Sequence, residues 1–303
     1  MKALVKTSTG LELQSLPAPK PQDSRSIIVK VSYAAICRTD LYVAAGKITS
    51  PDNLILGHEA TGTVVEVGSE VTQCKLDDRI VLNPLRSCLV CSDCKNQRPD
   101  LCGKTQFMGQ DFNGAFSEYI CVPASEVTCL PPHISPLLGT YTEPLASTRA
   151  VLESSLSSEM NILILGEDRI AALTERVLAQ AGFSKLTISK IPSPTKFYDA
   201  IVETCSNPQS IIQAVPHLKT GGLLVVKSRT PETLNLPILT LIKNRVRIEF
   251  VHFSPFERAL TALQTDVEWV ERLIGPQFSL SEYERAFQLA EKDTSKKIVF
   301  SFS

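Results

Sequence analysis

Four cysteines within fifteen residues constrain this chain more than any other feature of it. The stretch CLVCSDCKNQRPDLC sets Cys88, Cys91, Cys94 and Cys102 apart by gaps of two, two and seven residues. Gaps this short let backbone turns wrap a single ion, and four thiolates close a tetrahedral zinc site with no open position, which suits a structural metal. Disulfide pairing is the competing reading. Nine cysteines would fit it in a small secreted domain, but this chain has 303 residues and begins MKALVKTSTGLELQSL, with no continuous apolar run. A cytoplasmic protein is therefore expected, where clustered thiols more often hold metal. The lobe, about residues 86 to 104, is poor in apolar side chains. Metal is expected to supply its folding energy and a chelator to loosen it.

Composition narrows the partners. Lys and Arg number 31 against 32 for Asp and Glu, which gives no electrostatic footprint for nucleic acid or an anionic membrane. No stretch of about 18 apolar residues is present, so a membrane span is not expected. A small-molecule substrate is the expected partner. With 43% hydrophobic residues, a chain of this length is expected to bury about two domains.

The pattern changes part-way along. Up to about Ala150, short β-branched runs such as SIIVKVSYAAI, ATGTVVEVG, DDRIVLNP and FSEYICVPAS alternate with Gly, Pro and Asp, which predicts an all-β unit. From Asn161 the apolar run NILILG, the helical period of IAALTERVLAQAG and the run KLTIS predict strand, helix and strand, hence a parallel sheet. DAIVETC and GGLLVVK predict two further buried strands around a helix from about Pro208 to Leu218. FERALTAL and YERAFQLAEK predict helices, and KKIVFSF a last strand.

Three more segments carry chemistry-bearing residues: AAICRTD with Cys37, LGHEATG with His58 and Glu59, and TEPLAS with Glu143. Singly, each is commoner as a buried thiol, a satisfied imidazole or a surface carboxylate. Together with NGAFSEYICVPAS, the four-cysteine lobe and LIGPQFSLSEYERAF, the chain resembles the zinc-containing medium-chain dehydrogenase/reductase family over nearly its whole length. The resemblance implies an α/β protein: a GroES-like β-barrel catalytic domain (residues 1–151) with the structural zinc lobe, a reduced Rossmann domain with a parallel sheet (152–256), and a C-terminal segment (257–303) returning to the first domain, with the active site in the cleft between them. It implies two zinc ions per chain. Cys37, His58 and Glu143 would hold the catalytic one, with Glu59 as a neighbouring or exchanging ligand. Three ligands leave a position for water or a substrate oxygen. Thr39 matches the family's proton-relaying hydroxyl and Asp40 the partner that orients the ligands. Tyr42 stands where the family often has a histidine.

The cofactor half departs from the family pattern. LGEDRIA keeps Gly166 for the tight turn, but Asp168 replaces the glycine that lets backbone approach a diphosphate, and Ala171 replaces the third. Asp168 puts a negative charge where an anion should sit, or else simply starts the helix. Only eight residues separate Lys190 from Asp199, too few for a helical crossover, so one strand and two helices of the usual domain are expected to be missing. Lys190 lies near the place of the acidic residue that holds the adenosine ribose, and suits a 2′-phosphate or plain solvent. Arg38 matches a family arginine that contacts the diphosphate, and Lys296 and Lys297 lie where another positive contact is possible. Arg38, Gly166, Ile170 and Lys190 are the expected contacts for NAD or NADP.

The leading expectation is a zinc-dependent oxidoreductase moving hydride between a nicotinamide cofactor and a secondary alcohol or polyol-like substrate, with cofactor binding altered. Two alternatives stay open. One is zinc-dependent lyase, dehydratase or hydrolase chemistry with Glu59 as acid/base; the other is a non-catalytic family member. The family also implies a homodimer or homotetramer through the Rossmann sheet edge, with GGLLVVK as a contributor.

Overall fold

The computed structural model describes residues 1–96 and 99–302, so Gln97 and Arg98 of the four-cysteine lobe lie outside the described residues. The chain forms two compact units, Met1–Glu143 with Phe256–Ser303, and Pro144–Pro255. The helix Thr142–Arg149 straddles the first junction. Among the described residues, no helix is long and apolar enough to cross a membrane.

In the first unit, SIIVKVSYAA forms the ten-residue strand Ser26–Ala35 at the heart of a seven-stranded sheet. It pairs antiparallel with Glu59–Val67, Tyr119–Pro123 and Lys297–Ser301. Ile27, Val29 and Val31 pack with Leu4, Ile80, Leu82, Phe116 and Phe300 in one buried core, each side chain of this size contributing about 1.5–3 kcal/mol by leaving water. The strand Ile274–Phe278, parallel to Lys297–Ser301, is absent from the sequence reading. Its Gly275 and Pro276 look like a loop, and the pair tolerates them because the strand lies at the sheet's edge.

The second unit is a five-stranded parallel sheet in the order Leu186–Ser189, Ile162–Leu165, Tyr198–Glu203, Leu218–Val226, Arg247–Phe250. Four of these are the predicted strands. The fifth, RIEF, carries charge at Arg247 and Glu249, which hides it from a search for buried runs and suits an edge. The segment between Ser189 and Tyr198 holds no helix, as its length predicts. Strand order reverses at Ile162–Leu165, which has a neighbour on either side, and such a reversal opens the crevice at the carboxyl ends where α/β sheets take ligands. One expectation is corrected here. GGLLVVK is no sheet edge, because Leu218–Val226 is paired on both sides. The free edge next to it is Arg247–Phe250, where Phe250 is exposed, as are Leu239 and Ile242 on the preceding helix Ile238–Lys243.

Candidate metal and nucleotide sites

The four-cysteine lobe stands on a two-stranded base, Leu85–Arg86 paired with Gln106–Phe107. Arg86 anchors it, donating to both oxygens of the buried Glu126 and lying 3.7 Å from the Phe112 ring centre. Above this base the lobe has little core: Leu89, Val90 and Leu101 are exposed. What converges instead is sulfur. The Sγ atoms of Cys88, Cys91, Cys94 and Cys102 all lie within 4.8 Å of one another, with Cys88–Cys94 at 4.0 Å and Cys91–Cys102 at 3.9 Å, and none is in a disulfide. A tetrahedron with zinc–sulfur bonds of about 2.3 Å has edges of about 3.8 Å, so the donor set fits that ion. Backbone N–H groups of Cys88 and Lys104 lower the Cys102 thiol to about 6. Burial and the neighbouring thiols push Cys94 up to about 12. Thiolates packed this closely repel one another, and a cation resolves the conflict.

A second convergence follows from strand register. Ala35 is paired with Glu59 on one side and Val299 on the other. Cys37 therefore emerges just past one strand, His58 just before the next, and Lys297 at the start of the third. Gly57 turns the chain into His58 with φ +93°, and a Cβ there would come within 2.3 Å of the Phe116 ring, so only glycine fits. The Phe107 ring meets the His58 imidazole edge-on at 4.7 Å.

Donor atoms of Cys37, His58 and Glu59 lie within 4.8 Å of one another. His58 is buried, and neither ring nitrogen has a hydrogen-bond partner. Its Nδ1 lies 3.3 Å from Asp40 Oδ1, outside hydrogen-bond geometry. Burial disfavours the imidazolium, yet the Asp40 carboxylate and Cys37 thiol outweigh it and raise His58 well above the usual histidine range. The pocket's field thus favours a cation. Asp40, itself buried, braces both ligand-bearing segments: it accepts from Cys37 N at 2.8 Å and Gly57 N at 3.1 Å. Thr39 is buried with its hydroxyl 3.8 Å from Cys37 Sγ. Arg38 is the first residue of the helix Arg38–Ala44 and half-buried.

Two expected roles shift. Glu143 is buried in the first turn of the helix Thr142–Arg149, but among the described residues it is not in the close-set donor group. Glu59 is in that group and is also held by Lys297, whose Nζ reaches Oε1 at 2.6 Å and Oε2 at 2.5 Å. Lys297 is 1% exposed, which removes it as a surface charge. Lys296 donates to the Arg272 carbonyl.

In the second unit, Gly166 follows the strand Ile162–Leu165 with φ +154°, and a Cβ would lie 2.3 Å from Thr204 Oγ1. Asp168 caps the helix Arg169–Gln180: its Oδ1 accepts from Ile170 N and Ala171 N, both at 3.0 Å. Ile170, an expected cofactor contact, thus gives its N–H to the chain itself. Lys190 donates to Glu167 Oε1 at 2.7 Å in an exposed ion pair, which raises the Lys190 ammonium above its ordinary range.

Residues 23–132 match the alcohol dehydrogenase GroES-like domain. Over its full length the chain is 31% identical to the L-threonine 3-dehydrogenase of Xanthomonas oryzae pv. oryzae (strain MAFF 311018), all of which the match also covers. The chain belongs to the zinc-containing medium-chain dehydrogenase/reductase family. That match spans 342 aligned positions against the chain's 303 residues, so the relative carries segments this family member lacks. Solved structures agree on fold. An NADP-bound protein from Sinorhizobium meliloti 1021, named as a zinc-binding dehydrogenase, superposes with a TM-score of 0.88 at 24% identity and 99% coverage of both chains. Galactitol-1-phosphate dehydrogenase from Escherichia coli gives 0.86 at 21% identity, with both chains wholly covered.

Two residues of this family member escape sequence reasoning. Lys297 is one in its actual role, since sequence marks it only as a possible positive contact or a surface charge and its partner Glu59 is 238 residues away. Glu203 is the other. Fully buried at the end of the strand Tyr198–Glu203, it accepts from Ser206 N at 2.7 Å, Ser228 N at 3.1 Å and Ser228 Oγ at 2.6 Å. It ties together the loops leaving two adjacent strands at the carboxyl edge of the sheet. The only sequence signal is an acid closing an otherwise apolar strand.

Proposed function

We propose that this protein is a zinc-dependent oxidoreductase that moves hydride between a nicotinamide cofactor and a secondary alcohol or polyol-like substrate, with one structural and one catalytic zinc per chain. The observation that carries this reading is the convergence of Cys37, His58 and Glu59 donor atoms within 4.8 Å of one another, around an imidazole that makes no hydrogen bond among the described residues and lies in a field that attracts a cation. Family membership and the dehydrogenase names of the relatives supply the reaction class.

Cys37 and His58 would hold the catalytic ion, with Glu59 or Glu143 as the third ligand. Zinc bound there would act as a Lewis acid toward a substrate oxygen. The other roles belong to the chain. Asp40 fixes the directions of Cys37 and His58 through the backbone bonds it accepts. Thr39 Oγ1, beside Cys37 Sγ, takes the alcohol proton and passes it outward. Lys297 holds both oxygens of Glu59, so that carboxylate can act as ligand or base only by leaving Lys297. The Gly166 turn does not fit a dinucleotide diphosphate in the arrangement described, because Asp168 holds the N–H groups it would need. That favours, as a second reading, zinc chemistry without hydride transfer on the same ligands.

An alcohol screen decides between them. Zinc-loaded protein is expected to change NAD(P)H absorbance with some secondary alcohol or polyol, and chelated protein to lose that turnover. Turnover that survives chelation, or none with any of the four nicotinamide forms, contradicts the proposal. We also propose a homodimer through the free sheet edge Arg247–Phe250 and its exposed apolar neighbours. Sedimentation at micromolar concentration is expected to show twice the chain mass, and a single-chain mass contradicts it.

A further inference from the structure

The Gly166 turn has kept its shape and changed its occupant. The tight approach to Thr204 that excludes any Cβ is intact, as is the helix Arg169–Gln180, twelve residues long, with its N-terminus at the strand-order reversal. A dinucleotide diphosphate at such a turn is held by the first free N–H groups of the helix and by its dipole. Here Asp168 Oδ1 already accepts from two of those groups, at Ile170 and Ala171. The neighbouring Glu167 adds a second carboxylate, and its cation, Lys190, is engaged with it.

We propose that Asp168 is a tethered anion that competes with the cofactor diphosphate, so that nucleotide binding requires its carboxylate to leave the helix N-terminus. This inference rests on the nicotinamide reading above. The helix start and the cofactor site make opposite demands on the same two N–H groups. With the carboxylate in place the helix is capped; with a diphosphate in place, Asp168 loses two charge-assisted hydrogen bonds and faces a like charge. Hydrogen bonds to a charged group are worth about 1.5–3 kcal/mol, so relieving the competition corresponds to an affinity gain on the order of tenfold to a hundredfold.

The test is calorimetric titration of zinc-loaded wild type, Asp168→Gly and Asp168→Asn with NADH and NADPH, with adenosine as a ligand lacking the diphosphate. Glycine and asparagine are both acceptable N-caps, so both variants are expected to melt close to wild type. D168G is expected to bind the preferred dinucleotide at least tenfold more tightly. D168N, which keeps the cap and loses the charge, is expected to fall between them, with adenosine unchanged in all three. Equal or weaker dinucleotide binding by D168G, with measurable binding by wild type, overturns the tethered-anion role and leaves the oxidoreductase reading standing. An equal gain for adenosine also overturns the role, since diphosphate is not then the group in competition. Failure of all three proteins to bind either dinucleotide overturns both.

Discussion

The pocket at His58 and the turn at Gly166 handle their polar atoms in opposite ways. In the pocket, a buried imidazole makes no hydrogen bond among the described residues, with the Asp40 carboxylate 3.3 Å from its Nδ1, and thiol and carboxylates gather round it. In the turn, the helix N–H groups that a ligand would use are paired within the chain, by Asp168. Burying a polar group without a hydrogen bond costs about 1–3 kcal/mol, a cost that a cation bound at the imidazole nitrogen would offset. A fold that pairs its own donors makes a ligand compete for them. The contrast teaches that the two units place their polar groups differently: one gathers donor atoms round an imidazole, while the other pairs its helix donors within the chain.

The largest effect is expected from emptying the pocket of its imidazole. His58→Ala should cost at least about a thousandfold in kcat/KM, since Lewis-acid stabilisation is worth several kcal/mol, and metal analysis should show the four-cysteine ion retained. Next comes the charge pair beneath the pocket. Lys297→Met leaves Glu59 as an unpaired buried carboxylate and should destabilise the fold by about 3–5 kcal/mol in denaturant unfolding. Adding Glu59→Gln should recover most of that loss. A mild effect of the single change would mean Glu59 has another cation, which sharpens its standing as a metal ligand. Asp40→Asn should be gentler, weakening zinc affinity or turnover about 10- to 100-fold, because the amide keeps an acceptor for only one of the two backbone N–H groups that Asp40 now holds, at Cys37 and Gly57. Zinc titration against a competing chelator reads this directly.

Legibility in the sequence follows the same division. The four-cysteine lobe is readable because ligand spacing is local, with all four sulfurs within fifteen residues. The parallel strands are readable as apolar runs. Cys37 and His58 are readable only through their surrounding motifs, since what unites them is the Ala35–Glu59 register, a long-range pairing that neither segment announces. The Glu59–Lys297 pair is not readable at all, because residue type assigns lysine to the surface and only the three-strand register buries it. Arg247–Phe250 is hidden by its charges and Ile274–Phe278 by its glycine and proline, both tolerated at sheet edges. Asp168 is visible as a departure in either reading; that its cap and its obstruction use one and the same oxygen comes from the geometry.

The central claim, a catalytic metal at Cys37 and His58 beside a structural one in the lobe, is tested most directly by zinc-edge anomalous diffraction from crystals of protein expressed with zinc. Two peaks are predicted, one inside the four sulfurs and one within bonding distance of Cys37 Sγ and a His58 ring nitrogen. A single peak in the lobe, from protein crystallised with zinc in excess, would contradict the account.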